Sequence, residues 1–438
     1  MRVRKILILS VLFTVLFAGL SFGETILTIE KVRQRALEYN RQLLSAKKEL
    51  DRSKAEIISA RSGALPQLSL DGRYTRNLTT RELFFGDEVI PISKNNEFDL
   101  SLSLTQPLYI GGKVGSALKI AKIYREFSEE AVKQVEREVV YSSEEIFYNA
   151  ILAKSILEVI KKESEVWNLN LEIAEKQFSQ GMISEYELLR ARVEKLNIEP
   201  KLIAAESDLS LARKGLKSFL GFPLDEKISL VADLTDATIV TLPALDTLIT
   251  LAISERPEIK QADLNKRGRE KAVRIAKGDW LYPNIYANAT YQLSGSSGDF
   301  RFRESEKSDS WTASLLVNIP IFDGARTIGE VRKAKVDYYQ AKLAEQQLLD
   351  NIKLEVEQAY DNFIQAGKAL EAQTETITSA EEGKRIADLR YESGIGTQLE
   401  VLSVQTALTL ARTQYIQTVH AYRLAKAALK KATGYNID

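Results

Sequence analysis

Residues 98–122 read FDLSLSLTQPLYIGGKVGSALKIAK, and residues 311–335 read WTASLLVNIPIFDGARTIGEVRKAK, the same plan repeated without a gap. Each begins with about ten residues that alternate apolar and polar, the period of a strand. Each then meets a proline, an aromatic and a glycine, and passes into a pattern of helical period. A strand hands over to a helix, twice.

Pro107 and Pro320 lie 320 − 107 = 213 positions apart, and the same offset relates Gly111 to Gly324, Lys113 to Arg326, Ala121 to Ala334 and Lys122 to Lys335. It also relates Phe178 to Tyr391, Gly181 to Gly394, Ser184 to Thr397, Glu187 to Glu400 and Gly221 to Gly434. A register held this far marks a duplicated unit of roughly two hundred residues, much longer than a solenoid repeat. The expected organisation is a first repeat over 24–220, a connecting segment over 221–245 and a second repeat over 246–438.

The N-terminus carries Arg2, Arg4 and Lys5, then an uncharged run from Ile6 to Leu20, then Ser21 and Gly23 spaced as at a cleavage site. That pattern reads as a secretory signal peptide over 1–23. Its apolar run falls short of the roughly 18 to 20 residues that span a bilayer. Lys plus Arg and Asp plus Glu number 60 each, which removes the basic footprint of a nucleic-acid binder. Cysteine is absent, so disulfides, thiolate metal sites and a lipid-bearing cysteine are excluded.

Four stretches alternate. In 67–76 Leu68, Leu70, Gly72 and Tyr74 oppose Gln67, Ser69, Asp71 and Arg73, and in 98–107 Leu100, Leu102 and Leu104 oppose Asp99, Ser101, Ser103 and Thr105. The stretches 284–293 and 311–320 repeat this, with Leu316 breaking the alternation. Each has the length a tilted strand needs to cross a bilayer. Aromatics gather at both ends: Tyr74, Phe98, Tyr291 and Trp311 at one, and Tyr109, Trp280, Tyr282 and Phe322 at the other. Two such rows fit the girdles of an outer-membrane barrel, although four amphipathic strands also fit one layer of a soluble sandwich. Four strands cannot close around an open lumen, and unpaired edges are not tolerated in lipid. A membrane reading therefore requires several chains to share one barrel.

The helical segments are long. Ile26 to Ser62 reads as helix, and Gly112 to Gln180 contains no proline and only Gly115 near its start. At 1.5 Å per residue the second of these would extend on the order of 100 Å. Its counterpart over 328–392 carries a heptad stripe of Leu349, Ile352, Val356, Ala359, Phe363, Ala366, Leu370 and Ile377, with Gln373 the one polar member. Each helix ends at a glycine and folds back through Ser184 with Glu187, or Thr397 with Glu400, a glycine C-cap followed by a capping box. The returning helices run from about 185 to 219 and from about 399 to 433, and Pro200 is expected to kink the first. The segment 221–245, with Pro223 and Pro243, reads as a short strand and loop.

Catalytic constellations are missing. The one histidine, His420, lies inside a helix with no cysteine as partner and reads as structural or solvated. No HExxH, CxxC, GxSxG or Walker pattern occurs, and Gly394-x-Gly396 follows a helix and lacks a third glycine. No enzyme activity and no cofactor are expected.

The duplicated halves, the run Pro320-Ile-Phe-Asp-Gly-Ala-Arg326, its weaker copy Pro107-Leu-Tyr-Ile-Gly-Gly-Lys113 and the tip over 391–402 resemble the TolC-like outer-membrane efflux family across essentially the whole mature chain. The resemblance implies a mainly α protein with a β-barrel. Long antiparallel coiled-coil helices would accompany four strands per chain, and three chains would close a twelve-stranded barrel in the outer membrane and a helical tunnel across the periplasm. Pro107, Gly111, Pro320 and Gly324 would mark the rim where barrel becomes tunnel. The resemblance further implies a homotrimer that works with a periplasmic adaptor and an inner-membrane transporter and contacts outer-membrane lipid. Adaptor contact maps to Met182, Ile183 and Ser184 and to Ile395, Gly396 and Thr397. A periplasmic constriction maps to Glu400, with Ser403 one turn on and Glu187 as the repeat mate of Glu400. Glu400 and Glu187 also have the capping explanation. The expected function is a passive exit duct for tripartite efflux or type I secretion. The alternative is a structural coiled-coil protein of the periplasm whose strands form a small soluble sheet.

Overall fold

The structure, a computed structural model, describes residues 25–232, 234, 240–300 and 306–435. The expected signal peptide and part of the connecting segment lie outside the described residues. The chain divides into two compact units, and each draws on both sequence halves. One takes residues up to 45, 134–256 and 350–438; the other takes 46–133 and 257–349.

In chain order the elements are β1 (Thr25–Leu27), α1 (Ile29–Tyr39), α2 (Arg41–Ser62), β2 (Gln67–Arg76), β3 (Glu82–Phe85), β4 (Glu88–Pro91) and β5 (Asn96–Ile110). There follow α3 (Lys113–Ser179), α4 (Glu185–Phe219), β6 (Ile228–Leu230), α5 (Leu245–Glu255) and α6 (Pro257–Leu281). The chain continues with β7 (Asn284–Ser297), β8 (Glu306–Asn318), α7 (Arg326–Glu392) and α8 (Gln398–Thr433).

The helical unit is built on the apolar seams. Ile352, Val356, Phe363 and Leu370 of the α7 stripe are buried, and Gln373, its polar member, donates to the Ala411 carbonyl of α8 at 3.3 Å. Phe363 meets Tyr422 with ring centroids 5.1 Å apart. Leu157 of α3 packs on Ala205 and Leu209 of α4, and Trp167 gathers Ile198 and Leu402. Pro200 is accommodated inside α4, which runs unbroken from Glu185 to Phe219. β1 pairs in parallel with β6.

The first helical stretch differs from expectation. It starts with β1, and the helix breaks at Asn40, whose φ of −65° and ψ of 125° are extended. There the Asn40 carboxamide oxygen accepts from the N–H groups of Gln42 (2.9 Å) and Leu43 (3.3 Å), an N-cap that starts α2. The second repeat breaks at Arg256, with φ −72° and ψ 125°, by another means. Pro257 disfavours helical geometry in the residue before it and suits the first position of α6.

The sheet unit holds four antiparallel strands in the order β2-β5-β7-β8. Pro107 does not end its strand, because β5 continues to Ile110 alongside β7 after an irregularity between Pro107 and Tyr109. The ladder with β2 has already stopped at the pair Gln67–Thr105, so the missing N–H of Pro107 falls beside a free edge. β8, by contrast, stops at Asn318, two residues before Pro320. The stretch between β2 and β5 holds the small hairpin of β3 and β4, with Phe84 and Phe85 exposed.

Candidate functional site

Alternation within a strand becomes a property of the whole sheet once the register is fixed. Reading across all four strands, one row is Gln67, Thr105, Asn288 and Ser314, the next Ser69, Ser103, Thr290 and Thr312, the next Asp71, Ser101, Gln292 and Ser310. Between them lie Leu68, Leu104, Ala289 and Ala313, then Leu70, Leu102, Tyr291 and Trp311. Over these rows one face is a bed of hydroxyls and carboxamides with the Asp71 carboxylate, and the other is apolar. On the polar face Ser103 and Thr290 share a hydrogen bond at 3.4 Å, and Arg73 stands opposite Asp99. On the apolar face Tyr74 meets Phe98 at 5.1 Å, Tyr291 meets Trp311 at 4.9 Å and Tyr109 meets Tyr282 at 6.3 Å. The side chain of Trp280 lies outside those described. Leu316 falls on the polar face with Tyr286 and Pro107, at the proline end. Among the described residues no helix is long and apolar enough to cross a membrane.

At the proline end the two repeats turn from strand to helix through left-handed backbone. Gly111 and Gly112 have φ of 62° and 69°, and Gly324 and Ala325 have 67° and 69°. Gly111 has a second constraint: a Cβ there would lie 2.7 Å from the Gly278 carbonyl oxygen. Gly324 has open space instead. In its repeat Asp323 starts α7 by accepting from the N–H (3.0 Å) and hydroxyl of Thr327, which holds its carboxyl below the usual carboxylate range.

At the two helix turns the backbone is repeated bond for bond. Gly181 (φ 70°) donates to the Phe178 carbonyl and Met182 to that of Gln177, both at 2.9 Å. Gly394 (φ 72°) donates to Tyr391 and Ile395 to Arg390, both at 3.0 Å. Each is a Schellman closure. Gly396 adds a bond of its own to the Arg390 carbonyl at 2.9 Å, and a Cβ there would come 3.0 Å from the Tyr391 nitrogen. Met182 and Ile395 are exposed, as are Ser184, Thr397 and Ser403.

The caps that follow differ. Ser184 accepts from the Glu187 N–H at 3.3 Å, and the Glu187 carboxylate reaches back to the Ser184 N–H at 2.8 Å, a complete capping box. Thr397 accepts from the Glu400 N–H at 3.2 Å, but the Glu400 carboxylate turns to Arg390, 3.7 Å from Nε. The expected second box is half formed, because α7 places a cation where α3 has Gln177.

The family model described as "Outer membrane efflux protein" matches residues 32–222 and 248–435. The chain belongs to this outer-membrane efflux family. Its relatives include the cobalt-zinc-cadmium resistance protein CzcC of Cupriavidus metallidurans, 23% identical over 89% of this chain and 86% of that protein. The outer membrane protein TolC of Escherichia coli is 20% identical over 95% of this chain and 84% of that one. The crystal structure of the Campylobacter jejuni CmeC outer membrane channel shares the fold with a TM-score of 0.78 at 19% identity, covering 93% of this chain and 85% of that one. This efflux protein is accordingly an outer-membrane protein that reaches into the periplasm, mainly helical with a barrel-forming sheet.

Sequence reasoning missed several features of the efflux protein's site. Arg390 carries no motif and matters only because the fold brings it to Glu400. Gly278 is one glycine in an otherwise ordinary helix, and its role follows from the approach of Gly111. His420 is part-buried and bonded to the Asn149 carboxamide oxygen at 2.8 Å, and burial pushes its pKa down.

Proposed function

We propose that this efflux protein is the passive outer-membrane exit duct of an export assembly, either tripartite efflux or type I secretion. Three copies each contribute four strands to one closed barrel of twelve, and the helices continue as a tunnel in the periplasm. The observation that carries the reading is the sheet itself: its central rows alternate between a polar face and an apolar one, and both edge strands are open. Such a sheet suits a water-filled lumen on one side and lipid on the other, and its edges call for further strands. The test is extraction of outer membranes into detergent, native mass measurement and planar-bilayer recording. A three-chain particle that conducts ions supports the duct; a freely soluble monomer released by osmotic shock overturns it.

The helix turns are the partner-facing end. Met182, Ile183 and Ser184, with Ile395, Gly396 and Thr397, are the contacts for a periplasmic adaptor that couples the duct to an inner-membrane transporter. Crosslinking from cysteines at Ile395 or Thr397 tests this, and capture of no adaptor in cells that export would sink it. Glu400, Ser403 and Glu187 are the candidates for a constriction. Of these, Glu187 is held in the capping box by Ser184 and Glu400 faces Arg390 at 3.7 Å, and Glu400 is the acid to test. Three Glu400 carboxylates near a common axis would favour cations. Unchanged ion selectivity in a Glu400→Gln variant would remove the ring. Pro107, Gly111, Pro320 and Gly324 form the barrel-to-tunnel rim.

A further inference from the structure

One row of the sheet does not fit the face it stands on. Pro107, Tyr286 and Leu316 lie side by side on the polar face, at its proline end. In the second hairpin both strands lose their alternation at the same height. Ile285-Tyr286-Ala287 and Leu315-Leu316-Val317 are runs of three apolar or aromatic residues, and the register sets their middle members directly opposite each other. A strand that drops its alternation is ordinarily covered on both faces. Leu316 is not covered, with 52% of its surface exposed, so packing within the chain does not account for it.

The surroundings of this row define what it would accept. The two rows next to it toward the loops carry only hydroxyls and carboxamides, and on its other side Asn284 stands opposite Asn318. Within the sheet the first charge on this face is Asp71, three rows away. At about 3.4 Å per residue that is roughly 20 Å along the strand, more than two Debye lengths at physiological salt. The row is thus apolar and electrically quiet, and its neighbours donate and accept hydrogen bonds without charge.

We infer that this row is a contact for cargo: repeated in every copy of the shared barrel, it forms an apolar collar at the proline end of the lumen that favours amphipathic organic solutes carrying uncharged hydrogen-bonding groups. The inference rests on the shared-barrel reading above and adds a class of cargo to it. A barrel of twelve strands is wider than the eight that side chains can fill, so the collar leaves water along the axis and does not plug the duct. A small hydrated ion gains nothing from it. A solute with an apolar part exchanges water for Leu316 and Tyr286 and keeps its polar groups on the neighbouring rows. Such contacts are weak, as a duct requires, since cargo must leave as readily as it enters.

The test is single-channel recording of the detergent-extracted protein. The probe is phenyl β-D-glucoside, an aromatic ring joined to an uncharged sugar, and glucose is its polar half alone. The expected result is a concentration-dependent loss of current with the aromatic glucoside, beyond the loss that glucose gives at the same concentration. Tyr286→Asn/Leu316→Asn continues the polar bed through the row and should need about tenfold more probe for the same loss. Leu316→Met, which keeps the row apolar, should behave as the parent. If the double variant fails to assemble, Leu316→Asn alone carries the comparison, with an expected change of about threefold. An equal response of parent and Asn variants overturns the collar, and so does a parent that answers the aromatic glucoside no more than glucose. In either case a conducting three-chain particle leaves the shared barrel standing. Absence of any such particle overturns the shared barrel, and the collar with it.

Discussion

The two repeats of this efflux protein keep the same backbone at three places and hold it with different chemistry. At the strand-to-helix turn, Gly111 is pinned against Gly278 while Gly324 stands in open space beside a left-handed Ala325. At the helix break, Asn40 caps the next helix itself while Arg256 hands over to Pro257. At the helix turns, Glu187 completes a capping box and Glu400 pairs with Arg390. The duplicated feature is the path of the chain, and each copy has settled on its own local solution for holding it.

The largest difference is expected at the glycines. Alanine at either position meets the left-handed penalty of roughly 1–2 kcal/mol. At Gly111 it also drives a Cβ to 2.7 Å from a backbone oxygen, where neither partner is a flexible side chain. Gly111→Ala should therefore cost roughly 3 kcal/mol or more, and Gly324→Ala near the bare left-handed penalty. Thermal unfolding in detergent checks both, and equal losses would break the comparison.

The helix breaks come next. Arg256 is buried, and its Nη1 donates to Glu355 at 2.6 Å and to the Ala432 carbonyl at 3.4 Å. Arg256→Ala removes charge-assisted bonds and should cost roughly 2–3 kcal/mol. Asn40→Ala removes a cap and should cost about 1 kcal/mol. Denaturant midpoints measure both. If Arg256→Ala is as mild as Asn40→Ala, then Pro257 alone holds the second break.

At the turns the contrast narrows. Glu187→Ala should cost about 0.5–1 kcal/mol by opening the box, and Glu400→Ala a few tenths, since an exposed ion pair contributes little. Hydrogen exchange at the first amides of α4 and α8 reads each locally. Equal loosening at both ends would mean that the Arg390 pair holds α8 as firmly as the box holds α4.

How much of this was legible follows from where the determinants sit. The duplication, the four strands and the long helices show in the chain because periodicity and glycine placement are local. The end of β5 did not, because Pro107 is tolerated for a non-local reason, the stopping of β2 two residues earlier. The break at Asn40 was hidden for lack of a proline or glycine, and that at Arg256 went unread although Pro257 follows it. Thr397 with Glu400 carries the spacing of a box, and what displaces it is Arg390 on the preceding helix. Repeat symmetry gives the path, and the contacts that differ between repeats are set in three dimensions.

The smallest effect concerns a residue found in one repeat only. His420 has no histidine mate, since 420 − 213 = 207 is Ser207. Burial lowers its pKa below that of an exposed histidine, so the folded chain favours the neutral ring. The sign follows from linkage: the unfolded chain takes up the proton first as pH falls. The contribution of His420 is whole above the unfolded value, near 6.5, and is lost as pH drops from there through the folded value. His420→Gln, which can still donate to Asn149, should remove that slope while leaving stability at pH 8 nearly unchanged. Parallel unfolding curves for the two proteins from pH 8 to pH 5 would show that the ring does not titrate with folding, and that its bond to Asn149 serves packing alone.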